Sequence, residues 1–177
     1  DVETRDNEAR AAAEFLRADL RWLDFEDTRI EDSFESRLRV IKAIRELRPR
    51  MILSQYYDFP LMHPDHEATG RIVRNAFRLS RFRNIDTGQD PFWIPNIAYY
   101  LHPDHVRPSF VVDVSSHFDR WLELANKYGS QLDSIPGYKD RLLARKRAAG
   151  FLIDVPYGES FYCDRPLKGN GVDITLL

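Results

Sequence analysis

Residues 48–73 read "RPRMILSQYYDFPLMHPDHEATGRIV", and the order of signals in this stretch sets the fold. Pro49 closes the helical pattern before it, because proline cannot continue a helix and biases the preceding residue toward extended backbone. Met51-Ile52-Leu53 is a short apolar run of the kind that makes a fully buried strand. A loop containing Tyr56, Tyr57 and Asp58 follows, and His63-Pro64-Asp65-His66 then leads into a helical pattern with Ile72, Ala76 and Leu79 along one face. Strand, loop and helix in that order put the four-residue motif at a strand's carboxyl end and a helix's N-terminus, where open α/β sheets gather their sites.

Working outward, "DNEARAAAEFL" (Asp6 to Leu16) predicts a helix with Asp6 or Asn7 as cap, and Leu20-Arg21-Trp22-Leu23 reads as a short strand. "EDSFESRLRVIKAIREL" carries Phe34, Leu38, Ile41 and Ile44 at helical spacing behind the capping candidates Asp32 and Ser33. After a loop over residues 86–96, Ile97 to Leu101 and Phe110 to Val114 read as strands. Ser115 or Ser116 caps a helix through Tyr128, and a last helix spans Tyr138 to Ala149. This alternation predicts an α/β fold with a mostly parallel sheet, in one domain over residues 1–177. The chain opens Asp1-Val2-Glu3, without Met, and runs at once into a helix. An α/β domain usually opens on a strand, so the N-terminal strand region is expected to be missing and the sheet to be incomplete on one side.

With 43% hydrophobic and 31% charged residues among 177, the composition is that of a soluble globular domain able to bury a core. A net charge of −2 supplies no global field for nucleic acid or an anionic membrane. The basic run "KDRLLARKRAA" (Lys139 to Ala149) reads as a solvated helix face rather than a nucleic-acid surface. No apolar run approaches a membrane span. The lone Cys163 excludes an internal disulfide and reads as a buried small hydrophobe. With no secretory segment visible, it fits a reducing, cytoplasmic location.

The motif occurs twice. Leu101 is followed by His102-Pro103-Asp104-His105, so four of the five histidines lie in two identical tetrapeptides. Zinc takes His nitrogen and carboxylate oxygen, with one position kept for water when the site is catalytic. The first copy has the strand–loop–helix setting of such a site: Pro64 stiffens the turn, Asp65 is a candidate cap, His63 belongs to the loop and His66 to the first helical turn. Ordinary hydrogen-bonded loop histidines remain the other reading. The second copy lies between two strands, where Pro and Asp are common turn residues, and reads as a surface turn with solvated histidines. Two histidines and one aspartate do not complete a zinc site, and outside the copies the chain offers only His117 and scattered acids.

"HPDHEATGRIV" after "RPRMILS" resembles the second motif of the LmbE-like (PIG-L) zinc-dependent N-acetylglucosaminide deacetylases. "ETRDNEARAAAEFL", "DTRIEDSFESRLRVIKAIRELRPR", "PSFVVDVSSHFDRWLELANKYGSQL" and "YGESFYCDRPLKG" are similar to stretches of the branch that serves bacillithiol biosynthesis. The resemblance implies a Rossmann-like three-layer fold, one Zn2+ ion and hydrolysis of an acetamide on glucosamine, with a small glycoside such as N-acetylglucosaminyl-malate as substrate. It gives the metal to His66. To His63 it gives stabilisation of the tetrahedral oxyanion or protonation of the leaving amine, and to Asp65 the orientation of His63. The sequence departs from the family in two places. The first family motif, His-Pro-Asp-Asp, which supplies two zinc ligands and the general base, is absent, and Leu61 and Met62 are apolar where polar residues are usual. A homo-oligomer is expected, with no nucleic-acid or membrane partner. A sister deacetylase or amidase and a metal-free assembly or binding module are the competing readings.

Overall fold

The computed structural model describes residues 2–60 and 62–168. Helix α1 covers Val2–Leu16. Helix α2 (Phe34–Leu47) begins where the sequence places it, with Ser33 Oγ accepting the Ser36 N–H at 3.1 Å and so satisfying a donor left over in the first turn. It ends at Arg48, whose left-handed backbone (φ 47°) carries its N–H to the Ile44 carbonyl at 2.8 Å. Strand β1 (Met51–Gln55) then runs into the motif loop, and helix α3 (Pro64–Leu79) crosses to strand β2 (Asn96–Tyr100). The two strands pair in parallel, in register from Met51↔Asn96 to Gln55↔Tyr100. Val40, Ile41 and Ile44 of α2, Ile72, Ala76 and Phe77 of α3, and Ile97 and Tyr99 of β2 meet in one buried cluster. Arg45, on the same side of α2, is buried because carbonyls surround it: Ser80 (3.0 Å), Phe82 (2.7 Å) and Ile85 (2.6 Å) accept from its guanidinium.

Among the described residues, parallel pairing is confined to β1 and β2. Strands β3 (Phe110–Asp113) and β4 (Gly158–Phe161) form a second two-stranded sheet. Its outer bonds, Ser109 N–H to the Phe161 carbonyl (2.7 Å) and Val114 N–H to the Tyr157 carbonyl (3.0 Å), show that it is antiparallel. Beyond β4, Tyr162 exchanges both backbone bonds with Tyr99 on β2 (2.8 and 2.9 Å). The architecture is therefore mixed α/β, as the sequence suggests, but with a small, divided sheet in place of the mostly parallel one expected. No helix among the described residues is long and apolar enough to cross a membrane.

The described chain forms two compact units: residues 2–22 with Val111–Ser160, and Leu23–Phe110 with residues 161–168. The first contains α1, a 3-10 turn (Ser115–His117) and helices α4 (Phe118–Asn126), α5 (Gly129–Leu132) and α6 (Tyr138–Phe151). Within it, Glu8 of α1 accepts the backbone N–H (2.7 Å) and the hydroxyl (2.8 Å) of Ser130, and Phe118 stacks on Tyr157 at 3.6 Å between ring centroids.

Several local expectations are corrected. Helix α1 already begins at Val2, upstream of the expected caps Asp6 and Asn7. Leu20 to Leu23 is not a strand: Leu20 and Trp22 are 39% and 50% exposed, and this segment has no strand partner among the described residues. A strand is held by a neighbour's ladder, which four residues cannot replace. Neither Ser115 nor Ser116 caps a helix, because the Asp113 carboxylate takes the Ser115 N–H at 2.9 Å and opens the 3-10 turn instead. The basic run on α6 is not a uniform solvated face either. Lys146 is buried, paired with Glu159 and set 4.9 Å from the Trp121 ring centroid.

Candidate functional site

His63 is the N-cap of α3. Its extended backbone (φ −57°, ψ 134°) precedes Pro64, whose fixed φ suits the first helical position and whose missing N–H loses nothing there. The His63 Nδ1 accepts the Asp65 N–H at 3.2 Å, and its carbonyl accepts the His66 N–H at 2.9 Å. The imidazole thus does the capping that the sequence assigns to Asp65. With Nδ1 engaged as an acceptor, the ring proton lies on Nε2.

Asp65 is buried, and its Oδ2 accepts the backbone N–H of Thr28 at 2.6 Å. Thr28 is in the left-handed region (φ 65°), so the carboxylate holds a turn that its own backbone does not favour. Asp65 therefore reaches His63 through its N–H, and its carboxylate is directed at residue 28. His63 and His66 are both solvent-exposed, with ring centroids 5.7 Å apart. Partial desolvation, followed by the neighbouring His63, lowers the His66 pKa below the ordinary histidine value, while Asp65 pulls the other way. The shift favours the unprotonated imidazole, which is the form that binds a metal.

The loop between β1 and His63 leaves an aromatic base. Tyr56 continues the parallel ladder, its N–H donating to the Tyr100 carbonyl at 3.0 Å, and stacks on Tyr57 at 4.7 Å. Tyr99 and Tyr162 meet Tyr56 edge-on. Gly70 on α3 is packed so closely that a Cβ would lie 2.7 Å from the Gln55 carbonyl oxygen and 2.8 Å from the Tyr57 Cα. Leu61 lies outside the described residues; Met62 is half-buried, its N–H bonded to the Phe59 carbonyl at 2.9 Å.

Because β2 runs parallel to β1, the second His-Pro-Asp-His leaves the carboxyl end of the adjacent strand, along the same sheet edge as the first. Leu101 takes a left-handed φ of 53°, and His102 behind it is buried, with 7% exposure and its Nδ1 3.2 Å from the Pro103 carbonyl. Asp104 and His105 are exposed. The expectation of two solvated histidines thus describes His105 and not His102. Thr28, Arg74 and Asp164, which surround the first copy's loop and helix, escaped the sequence reading, since no local motif marks them.

Zinc in a catalytic site takes three protein donors. The first copy offers His66, while the Asp65 carboxylate and the His63 Nδ1 are already engaged. No group of three or more His, Cys, Asp or Glu side chains among the described residues is arranged to hold a metal. These residues therefore do not make a zinc coordination set by themselves.

Comparison sets this α/β unit, with its histidine turn at a parallel strand's carboxyl end, beside a family of deacetylases. The family profile described as "PIG-L: GlcNAc-PI de-N-acetylase" matches residues 1–77, a stretch that includes the first His-Pro-Asp-His and stops before the second. The chain is 28% identical over 130 residues to a probable N-acetyl-alpha-D-glucosaminyl L-malate deacetylase 2 of Bacillus anthracis, covering 72% of this chain and 55% of that protein. It is 29% identical over 116 residues to a diacetylchitobiose deacetylase of Thermococcus kodakarensis, covering 62% and 42%. It spans about half the length of these curated relatives. The crystal structure of a conserved protein from Thermus thermophilus matches with a TM-score of 0.85 at 30% identity, over 97% of this chain and 77% of that one. The chain is thus similar to the PIG-L/LmbE-like deacetylases, through the family profile over residues 1–77 and through these curated relatives.

Proposed function

We propose that the protein is a zinc-dependent hydrolase that removes the N-acetyl group from an N-acetylglucosamine conjugate, with N-acetylglucosaminyl-malate, a substrate of bacillithiol biosynthesis, as the leading candidate. The observation that carries this reading is the exposed His63 ring at the N-terminus of α3, its Nδ1 fixed by the Asp65 N–H and its Nε2–H left as a donor. A tetrahedral intermediate of amide hydrolysis carries an oxyanion, which a preorganised donor at the positive end of a helix stabilises. Of the two roles considered for His63, the geometry supports the oxyanion donor. His66 would hold zinc through its unprotonated imidazole. Zinc, when bound, would polarise the attacking water and the amide carbonyl. Asp65 would position rather than react, holding His63 through its N–H and the residue 28 turn through its carboxylate.

The remaining zinc ligands and the general-base carboxylate would come from the family's His-Pro-Asp-Asp motif, which this sequence does not contain. A single family domain over residues 1–177, a homo-oligomer and a cytoplasmic location complete the proposal. The experiment is acetate release by the zinc-loaded protein, at the length of its relatives, from N-acetylglucosaminyl-malate, diacetylchitobiose and N-acetylglucosaminyl-phosphatidylinositol. Release fastest from the malate conjugate is the expected result. Preference for either of the others would reassign the aglycone, and no release from any of the three would remove the deacetylase reading.

A further inference from the structure

We propose that Asp164 is a positioning residue for the His63–His66 turn and acts on it through Tyr57; the inference rests on the site assignment above. Tyr57 is the second residue beyond β1 and opens the loop that closes at His63. Its hydroxyl donates to Asp164 Oδ1 at 2.5 Å. Arg74, on α3, donates from Nε to Asp164 Oδ2 at 2.8 Å and lays its guanidinium 4.1 Å from the Tyr57 ring centroid. Arg71, one residue beyond Gly70, donates from Nε to the Tyr57 carbonyl at 3.1 Å. Gly70 brings the α3 backbone against the Tyr57 Cα, at a distance that leaves no room for a methyl group.

Tyr57 is therefore gripped at ring, hydroxyl, carbonyl and Cα, and three of the gripping residues belong to the helix that His63 caps and His66 begins. Asp164 comes from the segment after β4 and is the one member outside both loop and helix. It is largely shielded, at 15% side-chain exposure, and both of its carboxylate oxygens are engaged. Burial, followed by Asp164, raises the Tyr57 pKa far above the ordinary tyrosine value, so the hydroxyl remains a donor throughout the working range of a hydrolase.

Fixing Tyr57 fixes where the loop starts, and the N-cap bond fixes where it ends. A misplacement of about 1 Å in a catalytic group costs on the order of a hundredfold in rate. A clamp at the loop's origin should therefore act on turnover, and not on substrate affinity or metal content.

The test uses Tyr57→Phe and Asp164→Asn in the zinc-loaded protein at the length of its relatives. The first removes only the hydroxyl, so it serves if the second fails to fold. The expected result is a fall in kcat of about tenfold or more, with KM and zinc content within about twofold of wild type. Amide hydrogen exchange at Tyr57 and at His63 to Glu67 should accelerate, while exchange in β3 stays at the wild-type rate. Unchanged exchange at His63 to Glu67 in both variants would overturn the proposal. So would faster exchange with unchanged kcat, which would make the clamp purely structural, or a rise in KM alone. If the wild-type protein released no acetate, the functional reading would fall, and the exchange measurement would still decide whether Asp164 positions the turn.

Discussion

His63 and His66 stand three residues apart, yet the local structure gives their rings different surroundings. One is tied through Nδ1 to the backbone of the turn, and the other has its pKa lowered by partial desolvation and its neighbour. His66→Ala should abolish zinc retention and acetate release together in a protein that also carries the family's His-Pro-Asp-Asp motif. His63→Ala should keep the zinc and lose turnover on the order of a hundredfold, the usual consequence of deleting one oxyanion donor. The second copy provides the control. His105→Ala, at an exposed position, should change unfolding free energy by less than about 0.5 kcal/mol. His102→Ala, at a buried one, should destabilise by about 1–3 kcal/mol. Neither should release zinc. Metal analysis beside urea unfolding reads all four variants. Zinc lost from His105→Ala but kept in His66→Ala would mean that the wrong copy has been assigned.

At the scale of elements, α3 matters most, because it caps on one histidine, carries the other and packs on β1 through Gly70. Gly70→Ala would push a methyl group into the backbone of Gln55 and Tyr57, atoms that cannot rotate away. We expect a loss of about 1–3 kcal/mol in denaturant unfolding, with turnover falling as α3 is displaced. The join between α2 and α3 is electrostatic at one end. Asp32 accepts from Arg37 Nε (2.6 Å), Arg37 Nη2 (2.9 Å) and Asn75 Nδ2 (2.9 Å), and the Arg37 bonds hold its carboxyl below the ordinary aspartate value of 3.8. A carboxyl with a depressed native pKa binds fewer protons folded than unfolded. Its contribution is therefore complete above the unfolded value and is lost as pH falls through the native one. The stability gap between wild type and Asp32→Asn should be constant from about pH 5 upward and shrink below pH 3.8. A gap that persists in acid would show that Asn75 packing, and not the carboxylate, joins the helices.

At the scale of the whole molecule, the decisive quantity is the number of zinc donors. On the proposed reading the described residues would contribute His66, and one donor cannot match the three of a preorganised site. We therefore expect the 177-residue chain to lose zinc on dialysis. A longer protein carrying a His-Pro-Asp-Asp motif should retain one ion per chain. Stoichiometric zinc held at nanomolar affinity by the 177-residue chain would overturn this count.

Much of the candidate site was legible locally. Ser33 announced the start of α2, Pro49 its end, and the spacing of Ile72 and Ala76 the face that α3 buries. Each signal acts within a few residues of itself, through a capping bond, a fixed φ or a helical repeat, so the sequence alone determined them. It could not show that β2 lies parallel to β1, which sets the second His-Pro-Asp-His on the same edge as the first and leaves His102 buried. Nor could it show that the Asp65 carboxylate reaches Thr28, 37 residues away, or that Tyr57 donates to Asp164 across 107 residues. Those pairings have no local signature, because a carboxylate far along the chain becomes a partner only once strand pairing and burial bring it within hydrogen-bond reach. That step belongs to the tertiary structure.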